Sequence, residues 1–381
     1  MKIEDLKVSL KQMEDPRRTT KGNILHKLED IIIIGLCSLI CNGSDFVDME
    51  EFGEARQEWL KQFLELPNGI PDSDTFRRVF ERLNPTALAE CLYDWLSCHR
   101  PEGSVIAIDG KTICGSGNQR HRAYHVVSAF VAENQLTLGE VTVEEKSNEI
   151  TAVPELLELV DVKGSIVTAD AMSCQKEIVR KLHAKKADYI IALKGNQPTL
   201  LEDASLYFEA FGSTLPMART LEKDHGRIDN REYYLATDLS WLSEREEWPG
   251  LKSIGIVKNR RVCQGQETTE VRYYLTSLTD VERFAYASRK HWSIENQLHW
   301  CLDVIFDEDG SRARKDLSPL NLNVLRKTAL ALCRNIVLGK RVSLQKKRYR
   351  AALSPETFLQ ILFGQGLMLS PWDAQTCTCI L

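Results

Sequence analysis

Three acidic residues stand where an acid is costly to keep. Asp109 closes the apolar run VIAID, Asp170 lies near the end of SIVTADA, and Glu295 sits mid-helix in RKHWSIENQLHWCLDV. A carboxylate at the end of an otherwise apolar strand is expensive to bury without a partner. Two such ends on neighbouring strands bring like charges together, which demands a bound proton or a cation. Hard oxygen ligands of this kind point to Mg²⁺ or Mn²⁺ rather than zinc. Taken singly, each aspartate is equally readable as a turn or helix-capping residue.

Glu295 has His291 four residues before it and His299 four after, so one helical stripe carries His, Glu, His. Trp292, Asn296 and Trp300 form the adjacent stripe with the same spacing. A zinc site from His291, Glu295 and His299 is a second possibility, but the H-E-x-x-H arrangement of metalloproteases is absent.

The elements that must position these residues follow from periodicity. Residues 1–100 read as a helical domain, with apolar residues three and four apart over Leu25–Cys41, Phe46–Leu64, Asp74–Leu83 and Thr86–Leu96. A capped start at Asp72/Ser73, followed by Arg77 and Arg78, is compatible with a DNA-reading helix or with plain packing. After Pro101-Glu-Gly-Ser the pattern turns to strands: VIAID (105–109), HVVSAFVA (125–132) and LTLGEVTVE (136–144). A helix over Thr151–Val160, with Pro154 early in it, precedes the strand SIVTADA (165–171). A helix over Gln175–Lys185 and the strand DYIIALKG (188–195) complete this first half of a mixed α/β core, 101–202. Residues 203–280 form a β-rich insertion containing REYYLAT, LKSIGIVKN and TTEVRYYLTSL. The core resumes over 281–340, where Thr279-Asp-Val-Glu282 reads as a capping box opening a helix to about Ile305. Residues 341–381 read as a basic C-terminal tail.

Composition narrows the class. With 43% hydrophobic and 27% charged residues the chain is an ordinary globular protein with ample core material. Its longest apolar run, IIIIGLCSLIC, is about half of what spans a bilayer, so a buried helix is expected and no membrane association. The first residues, MKIEDLKVSL, lack a signal-peptide pattern, which makes a cytoplasmic location the expectation. The 11 cysteines include no C-x-x-C pair and read as free thiols acting as small hydrophobes. A net charge of −5 gives no hint of nucleic acid, yet Ser311–Arg350 carries twelve basic residues against the single acidic Asp316. Such a stretch either attracts phosphates or forms a solvated helix face.

IAIDGKT, EEKSNEITAVPELL, VTADAMSCQKEI, YIIALKGNQ, DHGRIDNRE, VRYYLTSL and HWSIENQLHWCLDVIFDED, in this order, resemble the H-repeat-associated (Rhs-linked) family of bacterial insertion-sequence transposases, of the DDE type. The likeness runs from about residue 5 to 350. It implies an RNase H-like catalytic core with an insertion, and metal-dependent cleavage and strand transfer of DNA. The DDE positions fall on Asp109, Asp170 and Glu295, expected to hold two Mg²⁺ or Mn²⁺ ions about 3.5–4 Å apart, Asp109 bridging them. Lys194 in LKGNQ is a candidate phosphate contact, with a surface lysine as the plain alternative. His225, Arg227 and Arg231 are candidates for contacts to DNA or a hairpin end, and His291, Arg312 and Arg314 are further DNA-binding candidates. The implied partners are double-stranded DNA, as element terminal repeats and target, and further copies of the chain on that DNA. The wider transposase group spaces Tyr, Arg, Glu and Lys along the glutamate helix. Here His291 and Leu302 occupy the positions four before and seven after Glu295, with Tyr286 and Arg289 at offsets of nine and six. A domesticated relative that binds DNA without transposing is the alternative reading.

Overall fold

The computed structural model of the chain describes residues 3–17, 24–97, 101–117, 122–143, 149–224, 226–339 and 342–364. Within them the β-branched runs become nine strands. These are β1 (Val105–Thr112), β2 (His125–Val131), β3 (Leu136–Val143), β4 (Ile166–Ala169), β5 (Asp188–Leu193), β6 (Met217–Asp224), β7 (Arg227–Ala236), β8 (Ser253–Cys263) and β9 (Gln266–Thr276). All belong to one sheet of order β3-β2-β1-β4-β5-β9-β8-β7-β6. β1, β4 and β5 run parallel, while β2 and β3 fold back antiparallel on the β1 side. This 3-2-1-4-5 order is that of an RNase H-like sheet, the fold class expected above. The β-rich segment is not a separate sheet. β9 pairs antiparallel with the edge of β5, so β6–β9 prolong the catalytic sheet. β6 is not among the strands expected from sequence: MARTLEKD has charges and no β-branched alternation, and its pairing with β7 decides its conformation.

Six helices precede the sheet: α1 (Ile3–Gln12), α2 (Leu28–Ile40), α3 (Phe46–Ala55), α4 (Gln57–Leu60), α5 (Ser73–Phe80) and α6 (Pro85–Ser97). The apolar run is α2, buried along its whole length, and no helix is long and apolar enough to cross a membrane among the described residues. The helix α5 does start at an Asp72 cap, whose carboxylate accepts from the Thr75 N–H at 2.6 Å. Its two arginines are engaged locally, Arg77 with Asp74 and Glu81 and Arg78 with Asp74. Phe76, Val79 and Phe80 face the core, so α5 is built as a packing helix.

The remaining helices are α7 (Glu149–Leu159), α8 (Lys176–Ala184), α9 (Pro198–Phe211), α10 (Val281–His291), α11 (Trp300–Val304), α12 (Ser318–Arg334), α13 (Leu344–Leu353) and α14 (Pro355–Phe363). The helices α7 and α8 cover one face of the sheet, α10 and the helical layer the other. The helix α7 begins two residues before the expected start, which moves Pro154 into its interior.

The basic stretch is not one continuous surface patch, since Arg312, Lys315, Lys346 and Arg350 are exposed while others are buried, and as far as residue 363 it is not a trailing tail. Arg326, Lys327 and Arg348 are buried at 1%, 4% and 2% exposure. Lys327 donates to Glu140 at 2.6 Å, and the Arg348 guanidinium donates to the Leu39 carbonyl at 2.9 Å. The helices α13 and α14 pack into the helical layer through Ala351, Phe358, Ile361 and Leu362. Lys340 and Arg341 lie outside the described residues.

Candidate active site

The register of β1 against β4 sets where the two aspartates meet. Ile108 pairs with Ala169 in the parallel ladder, so Asp109 and Asp170 follow side by side on strands about 4.8 Å apart. Side chains alternate faces along a strand. Ile106 and Ile108 enter the core under α7 and α8 while Ala107 enters the opposite one, so Asp109 shares the face of Ala107, towards the helical layer. Thr168 points the same way, sharing a 3.0 Å hydrogen bond with His291 Nδ1 at the end of α10. Asp170 also caps the short turn Ala171–Ser173: its Oδ1 accepts from the N–H groups of Met172 at 3.0 Å and Ser173 at 3.3 Å. The capping role and the site role therefore coexist, since Oδ2 is not used by the cap.

Glu295 reaches this face on an irregular helix. The capping residue of α10 is Asp280 rather than Thr279, with its carboxylate accepting from the Arg283 N–H at 2.9 Å. The expected continuous helix to residue 305 does not form. Between α10 and α11, Ile294–His299 adopt a π-helix, a widened turn that recurs at functional sites. Ile294 and Leu298 anchor it in the core and Glu295 is exposed. The His–Glu–His stripe consequently splits, with His291 turned to Thr168 and His299 Nδ1 lying 3.7 Å from Asp109 Oδ2. Among the described residues no three His, Cys, Asp or Glu side chains form a ready-made metal cage, the proposed zinc set included.

Electrostatics couple the three acids nonetheless. Burial, reinforced by the negative charges of Asp170, Glu295 and Glu149, pushes Asp109 up to about 7. Burial and Glu149 also raise Asp170, while Lys194 at the end of β5 pulls it back down. Glu295 is raised by burial and lowered by Arg272. Burial holds the His299 imidazole at about 3, reinforced by Lys327 and Lys111, and its Nε2 is buried with no hydrogen-bond partner. An oxygen donor set of mutually repelling carboxylates fits a small, hard divalent cation.

A cavity of about 240 Å³ opens beside Glu295. Arg227 and Arg231 line it from β7, Arg261 from β8, Arg272 from β9 and Arg289 from α10, together with Trp292 and Asn296. Buried Asp229 holds Arg227, Arg231 and Arg261 at 2.9, 3.1 and 2.8 Å. Glu222 holds Arg231 and Arg289 at 3.0 and 2.9 Å. Arg272 pairs with Glu270 and lies 4.9 Å above the Trp292 ring. Five guanidinium groups against four carboxylates, Glu295 included, leave a positive wall of fixed geometry, suited to phosphate oxygens.

The candidates named from sequence thus separate. Asp109 lies inside β1, which runs on to Thr112 instead of ending at the aspartate, beside Asp170 just past β4; Lys194 follows β5, and Glu295, Arg227 and Arg231 line the arginine cavity. His291 packs inward on β4. Arg312 and Arg314 line another groove, against Phe46 and Asp74 of the helical layer, where Arg314 donates to the Gly115 carbonyl at 2.8 Å. His225 lies outside the described residues. Sequence reasoning missed Arg261 and Arg272 and gave no such role to Trp292 or Arg289, because only the pairing of β7, β8 and β9 brings the arginines together beside α10.

The chain has relatives among known proteins. Residues 100–333 match the transposase DDE domain model, and residues 8–96 match the model of the region associated with it. "Putative transposase YncI" of Escherichia coli O157:H7 is 38% identical over 93% of each chain. "H repeat-associated putative transposase YhhI" of Escherichia coli K12 is 35% identical over 96% of this chain and 100% of its own. Among solved structures, the piggyBac transposase synaptic complex with hairpin DNA aligns at TM-score 0.40 and 11% identity, over 100% of this chain and 82% of that one. The chain belongs to the transposase DDE domain family.

Proposed function

We propose that this chain cleaves DNA at the ends of an insertion sequence and transfers those strands to a target, with Asp109, Asp170 and Glu295 holding the divalent cations the reaction needs. The observation that carries the reading is the parallel register that sets Asp109 beside Asp170, with Glu295 close enough to raise the Asp109 carboxyl and itself lining a cavity walled by arginines. When bound, Mg²⁺ or Mn²⁺ supplies activation of the attacking water or 3′-hydroxyl and stabilisation of charge on the leaving oxygen. Asp109 and Asp170 contribute adjacent oxygens from a rigid sheet, and Glu295 closes the set from the π-helical turn. Lys194, exposed at the rim, draws a phosphate towards Asp170. The arginine cavity fixes the DNA backbone next to Glu295, with Asp229 and Glu222 keeping the guanidinium groups oriented before DNA arrives. Trp292 offers an apolar face in the same cavity. Because two element ends must be held together, the acting form is an oligomer on DNA.

The test is Mg²⁺- or Mn²⁺-dependent nicking of a labelled duplex carrying the native flanking DNA. Cleavage at a defined end should fall by at least about 10³-fold, near 4 kcal/mol, in Asp109→Asn and in Glu295→Gln, while both variants keep duplex binding. Undiminished cleavage in Asp109→Asn would sink the assignment. Tight end binding by the wild-type chain without any cleavage would instead indicate a DNA-binding relative that has lost the chemistry.

A further inference from the structure

A fourth acid approaches the same strand end from the other side of the sheet. Glu149, the first residue of α7, is 6% exposed, and its Oε1 lies 2.6 Å from His125 Nε2 on β2. The imidazole is held in turn at Nδ1, 2.9 Å from the hydroxyl of Thr112 on β1. His125 and Thr112 are register partners on the face under α7, and Gly110 of β1 points to that face too. A methyl group at Gly110 would sit 2.6 Å from Glu149 Oε1 and 2.4 Å from His125 Nε2. The glutamate and the imidazole therefore fill the space that a side chain beside Asp109 would take. The carboxylate is thus buried, held by His125 through Oε1, and lodged against the residue that follows Asp109.

We propose that Glu149, oriented by His125, is a positioning residue of the cation site: its carboxylate meets the hydration water of the divalent cation held by Asp109 and Asp170, and raises cation affinity. This rests on the functional reading above. Mg²⁺ and Mn²⁺ keep several waters when bound by few protein ligands, so an acceptor behind the ligands has something to bind. The influence of Glu149 on both aspartates, which it makes harder to ionise, agrees with its placement. The Gly110 gap is what lets it come this close, and any larger residue there would displace it. Of the motif EEKSNEITAVPELL, this gives a use to the glutamate that opens the helix.

The experiment is a Mn²⁺ titration of the DNA-free full chain, with free Mn²⁺ read by electron paramagnetic resonance and the cation-free melting temperature measured alongside. Glu149→Gln should weaken Mn²⁺ binding by about 10- to 100-fold, the range typical of groups that support metal ligands. His125→Gln keeps an N–H donor for Glu149 and should stay within about threefold of wild type. If the amide variant does not fold, Glu149→Asp keeps the charge but withdraws the carboxyl, and should weaken binding by at least roughly threefold. Wild-type Mn²⁺ affinity in Glu149→Gln, or in Glu149→Asp where that variant stands in, overturns the inference even if the melting temperature drops. Asp109→Asn in the same titration separates the two claims. Normal affinity there fails the triad itself, whereas weak binding there with normal binding in the Glu149 variant fails only the role of Glu149.

Discussion

The raised carboxyl of Asp109 ties stability, pH and cation together in one residue. Its ordinary value is 3.8, and in the folded chain burial and its acidic neighbours move it to about 7. Between those values the folded state holds a proton that the unfolded chain has released, so stability of the cation-free protein falls as pH rises through that window. A bound cation needs the ionised form, so its stabilising effect grows over the same window. Asp109→Asn removes both dependences. Without cation, the variant should be more stable than wild type at about pH 8, by on the order of a few kcal/mol, and by a smaller margin at about pH 5, the two converging only below the ordinary carboxylate value. Mg²⁺, which raises the wild-type melting temperature at the higher pH, should leave the variant almost unmoved. Calorimetry with chelator and with Mg²⁺ at both pH values reads all four cases. Equal cation-free stability of the two proteins at about pH 8 would mean that Asp109 is hydrated rather than strained by its neighbours. The residue types at this site were legible in the sequence because an acid closing an apolar strand is a local signal. Its partner Glu149 was not, since nothing in EEKSNEI says that Gly110 leaves room for it.

At the scale of elements, the glutamate helix and the added strands together build the arginine cavity. Sequence periodicity located β7, β8, β9 and, one residue off its actual cap, the start of α10, since β-branched alternation and a capping signal are read within a few residues. It did not show that β9 pairs with β5, nor that the helix opens into a π turn at Ile294. Both depend on long-range packing: β5 offers β9 a free edge, and Ile294 and Leu298 are buried against the helical layer. Arg227 and Arg231 were visible as part of a basic motif, whereas Arg261, Arg272 and Arg289 become neighbours only through the ladder. Arg272 is the most informative of them, because it sits over Trp292 and moderates Glu295. Arg272→Ala should weaken binding of the element-end duplex and lower the slope of log affinity against log salt by about 0.9 for each phosphate the variant no longer neutralises. Filter binding at several salt concentrations gives the slope. An unchanged slope would place the DNA backbone outside this cavity.

Across the whole molecule, a buried ionic joint connects the strand of Asp109 to the helices that surround it. Glu308, fully buried, accepts from Lys111 of β1 at 2.9 Å and from Asn323 of α12 at 2.7 Å, with Arg326 of α12 at 3.7 Å. Lys111 also pairs with Asp303 of α11 at 2.6 Å, so the residue two after Asp109 is fastened to the end of the glutamate helix. Burial alone would raise the Glu308 carboxyl, but Lys111 and Arg326 overrule it and hold it below its ordinary value. Charge counting along Ser311–Arg350 left a phosphate-attracting surface and a solvated helix face both open, because a sequence does not reveal that Glu308 of FDED faces Arg326 or that Glu140 takes Lys327. Removing one partner from a buried pair leaves an uncompensated charge, at a cost of about 3–5 kcal/mol. Glu308→Gln should therefore lower the urea midpoint by that equivalent, whereas Arg312→Gln, exposed in its groove, should leave it nearly unchanged. Because the joint sets β1 against the helix of Glu295, a Glu308→Gln protein kept folded by low temperature should also cleave more slowly without weaker duplex binding. Loss of stability with undiminished cleavage would show that the joint supports the fold but does not align Asp109 with Glu295.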